Sequence, residues 1–115
     1  MITFPVYLVC GKSAETPMLL RSASIPTSVL LFSSVESAGS FLVQTDFVHD
    51  SEIWRIENAT VLKEWLEKVA DQCECVPWDI CNVSGEWRSA GAAEFNEFLD
   101  AVSRRAASEQ LAGAN

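Results

Sequence analysis

Val29-Leu30-Leu31-Phe32-Ser33-Ser34-Val35-Glu36-Ser37-Ala38 holds the transition on which the fold turns. Four apolar residues stop at Ser33, and Glu36 follows three positions later. A Ser at the N-cap accepts from the N3 backbone N–H, while a Glu at N3 reaches back to the cap's own N–H. The stretch therefore reads as a buried strand that turns directly into a helix capped by Ser33 and Glu36.

Working outward, Thr3 to Cys10 carries apolar residues on both faces, with Val6, Leu8 and Cys10 on one and Tyr7 and Val9 on the other. That pattern predicts a central strand covered on both sides. Pro5 fits only near its start, because proline has no N–H to give to a ladder. Met18–Arg21 reads as a short second strand hairpinned on the first, and Thr27–Phe32 as a third. Helices are expected over Ser34–Thr45, with Val35, Ala38, Phe41, Leu42 and Thr45 inward, and over Val61–Cys73, with Asn58 or Thr60 as cap. Between them Glu52–Glu57 alternates, placing Trp54 and Ile56 on one face. A final strand is expected over Cys75–Val83, held to an edge or a strand start by Pro77. Gly85-Glu86-Trp87-Arg88 reads as a loop, Ala92–Ala107 as a third helix, and Ser108–Asn115 as a frayed end.

The expected class is α/β, with α+β as the variant: a mixed sheet of four to five strands with three helices packed on it. At 115 residues the chain is expected to form one domain over residues 1–115. Its 49% hydrophobic content and four Trp supply a core without metal or disulfide staples.

Charge narrows the partners. The formal net charge is −8, and Glu36–Asp100 holds fourteen acids against four bases. Such a field repels phosphate backbones, which argues against nucleic acid and anionic membranes. It would steer a basic protein inward, although solvated acidic faces also serve solubility alone. No apolar run approaches the ~20 residues that span a bilayer. Residues 1–10 lack a basic segment followed by a long apolar stretch, so a cytoplasmic location with free thiols on all four cysteines is expected.

No constellation carries a clear chemistry. Cys10-Gly11-Lys12-Ser13 resembles the tail of a phosphate loop, but the position five before Gly11 is Val6 rather than glycine. Cys73-x-Cys75 is one residue tighter than structural zinc pairs, so no metal and no cofactor are expected. Cys10 or Cys81 with His49 would need a third group to orient the base. Asp79 stands out because it lies near a strand end, where α/β sites form. Trp87 and its neighbours Glu86 and Arg88 form the other candidate surface, since Trp and Arg anchor interfaces; Trp87 could equally fold back over the sheet.

The run Phe32-Ser33-Ser34-Val35-Glu36-Ser37-Ala38 after an aliphatic strand resembles the N-terminal domains of the SseB (enhanced serine sensitivity) family, and the order of elements from Val29 to Asp79 is similar. Ser33 stands where that family usually has Thr, and Asp79 is followed by Ile80 rather than Pro. The resemblance implies no catalytic residues. The expectation is a non-enzymatic protein-interaction module of bacterial type: a small acidic adaptor or regulatory domain, or an immunity-type inhibitor of a basic partner. Its candidate binding residues are Asp79, Glu86, Trp87 and Arg88. The alternative is a small enzyme or thiol-reactive protein using a cysteine with His49 or Asp79. A homodimer through an edge strand at Cys75–Val83 is a further possibility.

Overall fold

Residues Ile25–Phe32 form the spine of the structure, and from Val29 to Phe32 both of its faces are apolar. Val29 and Leu31 enter one buried cluster and Leu30 and Phe32 the other, all four fully buried. Each such burial contributes about 1.5–3 kcal/mol relative to exposure. The computed structural model describes residues 2–13 and 15–113. In chain order its elements are β1 (Val6–Gly11), β2 (Leu19–Ser22), β3 (Ile25–Val29), β4 (Leu31–Phe32), α1 (Val35–Thr45) and β5 (Ser51–Ile56). There follow α2 (Ala59–Glu67), β6 (Cys75–Trp78), β7 (Cys81–Val83), β8 (Glu86–Arg88), β9 (Gly91–Glu94) and α3 (Phe95–Gly113).

The class is α/β. Among the described residues a mixed sheet of seven strands carries three helices, beside a separate β7–β8 hairpin. Strands β3 and β4 lie parallel to β6 in one continuous register, Ser28 against Cys75 and Leu31 against Trp78. Strand β1 is antiparallel to β4 on one side and β5 on the other, and β2 runs antiparallel to β3. Strand β9 is antiparallel to β6. Helices α2 and α3 cover the face carrying Val29 and Leu31; α1 and Trp87 cover the face carrying Leu30 and Phe32. No helix among the described residues is long and apolar enough to cross a membrane.

The sheet has more strands than the four to five expected for two physical reasons, the split spine and β9, and a break at Asp79 sends a further strand, β7, into the separate hairpin. The spine is interrupted at Leu30, which splits it into β3 and β4. The expected strand Cys75–Val83 breaks at Asp79, whose φ of 51° turns the chain out of the sheet. Gly91–Glu94 has no strand propensity of its own; its conformation comes from pairing with β6.

Three further expectations are corrected. Pro77 sits in an interior strand, between β3/β4 and β9, so the edge proposed for a dimer at Cys75–Val83 is occupied along β6. Asp79 N–H donates to Leu31 O, so two residues earlier the missing Pro77 N–H falls on the same side, against the interruption in the spine. Trp54 is 40% exposed because β5 is an outer strand, and it packs on Trp65 with ring centroids 5.4 Å apart. The end expected to fray from Ser108 is helical as far as Gly113.

Helix starts are capped by neighbouring side chains, and α2 also by one distant carboxylate. Asn58 caps α2, its Oδ1 accepting from Val61 N at 3.0 Å. Glu109, on α3, then accepts from Ala59 N, Thr60 N and Thr60 Oγ1, each at 2.9 Å. These are donors that the first turn of a helix cannot satisfy internally. Glu94, just before α3, accepts from Glu97 N at 2.8 Å.

Candidate functional site

Parallel strands β4 and β6 end side by side, and the residues that follow them meet. Ser33 comes after β4 and Asp79 after β6. The Asp79 carboxylate accepts from Ser33 N at 2.7 Å and from Ser33 Oγ at 2.8 Å. Asp79 holds a left-handed backbone conformation that aspartate tolerates better than most residues. Ser34, not Ser33, is the N-cap of α1: its hydroxyl accepts from Ser37 N at 3.1 Å, and Glu36 is left exposed in the first turn. The capping box read from Ser33 and Glu36 is thus shifted by one residue. Ser33 is free for Asp79, whose negative charge is favoured at the positive end of the α1 dipole.

Beside this pair lies an open groove of about 710 Å³, within the size range of binding pockets. Trp78 and Phe98 make its aromatic floor, with centroids 6.0 Å apart in an edge-on arrangement. Ala93 on β9 and Ala101 on α3 leave the space above it. Three charged side chains line the groove: Asp79, Glu97 and Arg105. Arg105 donates to Ile2 O and lies over the Phe4 ring, 5.1 Å from its centroid. These contacts fix the guanidinium while leaving it other N–H donors.

Of the sequence-derived candidates, Asp79 lines the groove and Glu86, Trp87 and Arg88 do not. They form β8 of a hairpin whose two-residue turn, Ser84-Gly85, has φ of 53° and 86°. Positive φ at both turn positions is the hairpin geometry that matches strand twist. Trp87 is half-buried against Phe41, with ring centroids 6.0 Å apart, on the sheet face opposite to Trp78 and Phe98. Glu86 and Arg88 form an exposed ion pair at 3.3 Å. The Ser-Gly between Val83 and Glu86 was the available signal for this hairpin.

Two of the four cysteines are held in the thiol form by burial. Burial pushes Cys10 up to about 12, with the Glu52 charge adding to it, and its Sγ contacts only Leu8 O among hydrogen-bond acceptors. Burial likewise raises Cys73, which donates to Cys75 O at 3.3 Å. A raised thiol is a poor nucleophile because the thiolate is the reactive form. His49 is exposed and makes no hydrogen bond among the described residues. Nor do three His, Cys, Asp or Glu side chains converge as a metal site among them.

Sequence reasoning missed Glu97 and Arg105. They lie eight residues apart on α3, outside the apolar stripe of Phe95, Phe98 and Val102 that identified the helix. The one available signal was the small Ala101 midway between two opposite charges. No protein-family model matches this chain, and no curated protein matches it.

Proposed function

We propose that this chain is a non-enzymatic protein-binding module, an acidic adaptor or regulatory domain, with an immunity-type inhibitor of a basic partner as its sharper form. The observation that carries the reading is the groove at the carboxyl ends of β4 and β6. It combines an aromatic floor with charged walls, and its one close polar pair, Ser33 and Asp79, is satisfied internally. Such a mixture of apolar floor and charged rim suits recognition. The net charge of −8 favours encounter with a basic partner. The resemblance to SseB N-terminal domains, which implies no catalytic residues, points the same way. A cytoplasmic setting belongs to the same proposal, since all four cysteines are unpaired.

The thiol-enzyme alternative is weakened by the burial of Cys10 and Cys73, which leaves only the half-buried Cys75 and Cys81 for such chemistry. The test immobilises the wild-type chain and an Ala101→Trp variant, whose indole fills the groove, and passes source-cell extract over both. The expected result is a protein retained at low ionic strength, released at about 0.5 M salt, where screening acts within a few ångströms, and held less by the variant. Retention that ignores both salt and Ala101→Trp would overturn the reading.

A further inference from the structure

We infer that the groove is built for a short extended segment of a partner protein: a lysine or arginine at Glu97, a carboxylate at Arg105, and an apolar side chain between them on Trp78 and Phe98. The inference rests on the protein-binding reading above and names the chemistry of what is bound.

Glu97 and Arg105 both line the groove, with Ala101 between them on the same face of α3. Eight residues at ~1.5 Å each set them about 12 Å apart along the helix. They are too distant to pair with one another. No cation lies within 4 Å of Glu97, and no carboxylate within 4 Å of Arg105, among the described residues. Elsewhere on the surface, Arg55 pairs with Glu57 and Arg88 with Glu86. The groove thus presents two opposite charges at a fixed spacing. Among the described residues Glu97 has no cation beside it, and Arg105, although near Glu109 one turn on, forms no ion pair with that carboxylate, which is committed to Ala59 and Thr60.

An extended chain advances ~3.3 Å per residue, so about four residue steps span the two charges, an even number that keeps both charged side chains and the one midway between them on the same face. The apolar side chain between them meets the half-buried Trp78 and the edge of the buried Phe98, whose rings hold each other in a preset orientation. Ala101 admits the peptide backbone because it projects no further than its Cβ. Arg105 is held by Ile2 O and Phe4, so little freedom is lost when it meets a carboxylate. Glu94, the other acid near this end of α3, is already committed to Glu97 N, which leaves Glu97 to receive the cation.

The test is an NMR titration of the full chain with two peptides, Gly-Lys-Ala-Leu-Ala-Glu-Gly and the charge-swapped Gly-Glu-Ala-Leu-Ala-Lys-Gly, in which both charges and the leucine share one face. Binding of the first peptide is expected, with amide shifts concentrated at Gly91, Ala93 and Ala101 and about tenfold weaker binding of the swapped peptide. Glu97→Lys, at an exposed position, and Ala101→Trp are each expected to weaken the first peptide about tenfold, about 1.4 kcal/mol. Equal affinity for both peptides, indifference to both substitutions, or shifts centred on Glu86–Arg88 would each overturn the inference. Self-association abolished by Ala101→Trp would also overturn it, by making a second copy the occupant. If neither peptide binds up to about 5 mM while the immobilised chain still retains its partner, the segment chemistry fails and the binding-module reading stands. If retention is absent as well, both fail.

Discussion

Asp79 receives the backbone N–H and the hydroxyl of Ser33 through its two carboxylate oxygens, at 2.7 and 2.8 Å, across 46 residues of sequence. The pair ties the end of β6 to the start of α1 and forms the polar corner of the groove. Hydrogen bonds to a charged group contribute about 1.5–3 kcal/mol when shielded, and partial exposure here reduces that to about 1–2 kcal/mol. Asp79→Ala loses these bonds and also places a less tolerant residue at φ 51°, which costs about 1 kcal/mol more. The expected order of urea midpoints is wild type, then Asp79→Asn, with Asp79→Ala lowest. Asp79→Gly should lie above Asp79→Ala, because glycine removes only the backbone penalty.

Glu109 contributes to the acid limb of the stability curve. Burial alone raises its carboxyl. The N–H groups of Ala59 and Thr60, the Thr60 hydroxyl and the nearby Arg105 outweigh that, so the carboxyl is held below its ordinary value. A depressed folded pKa means that the stabilisation is complete above the unfolded value, ~4.3 for Glu, and is lost as pH falls through the lower folded value. Glu109→Gln should therefore lower stability at pH 7 by up to about 1 kcal/mol, screened by solvent. The difference from wild type should vanish in acid, as denaturation measured along a pH series would show.

Alkylation should divide the cysteines into two classes. With its thiol at about 12, Cys10 holds roughly a thousandfold less thiolate at neutral pH than an ordinary cysteine. Cys73 is buried and raised in the same direction. In the folded protein a mild alkylating agent at pH 7 should label the half-buried Cys75 and Cys81 first, with Cys10 and Cys73 reacting only on unfolding. Peptide mapping after timed quenching reads this out, and early labelling of Cys10 would revive thiol chemistry.

Trp87→Ala should destabilise the protein. Phe41 is fully buried and Trp87 packs against its ring. Truncating a fully buried Trp costs about 3–5 kcal/mol, and half-burial brings the expectation to about 2 kcal/mol. That corresponds to a fall in Tm of roughly 8 °C for a chain of this size. An unchanged melting temperature would return Trp87 to the role of a surface anchor.

Much of the fold was legible because burial and backbone chemistry leave local marks. Apolar residues on both faces marked Thr3–Cys10 as a central strand, and the apolar run within Thr27–Phe32 marked a buried strand. Ala38, Phe41 and Leu42 marked the inner stripe of α1, although Val35 and Thr45, expected on the same stripe, are exposed and half-buried at the helix ends. Asn58 declared the start of α2. Elements without such marks were lost: Gly91–Glu94 is a strand only because β6 lies beside it, and Trp54 is exposed only because β5 has nothing on its outer side.

The sequence by itself determined the α/β class, the three helices and the acidic character, since periodicity, caps and charge are properties of neighbouring residues. Only the tertiary structure decided the site. Ser33 and Ser34 both suit the cap locally, and Ser34 takes it while Asp79, 46 residues away, takes Ser33. Glu97, Arg105 and the Trp78–Phe98 floor become one groove only when α3 packs across β6 and β9. Contacts between residues far apart in the chain depend on how strands are ordered, and no local pattern encodes that order.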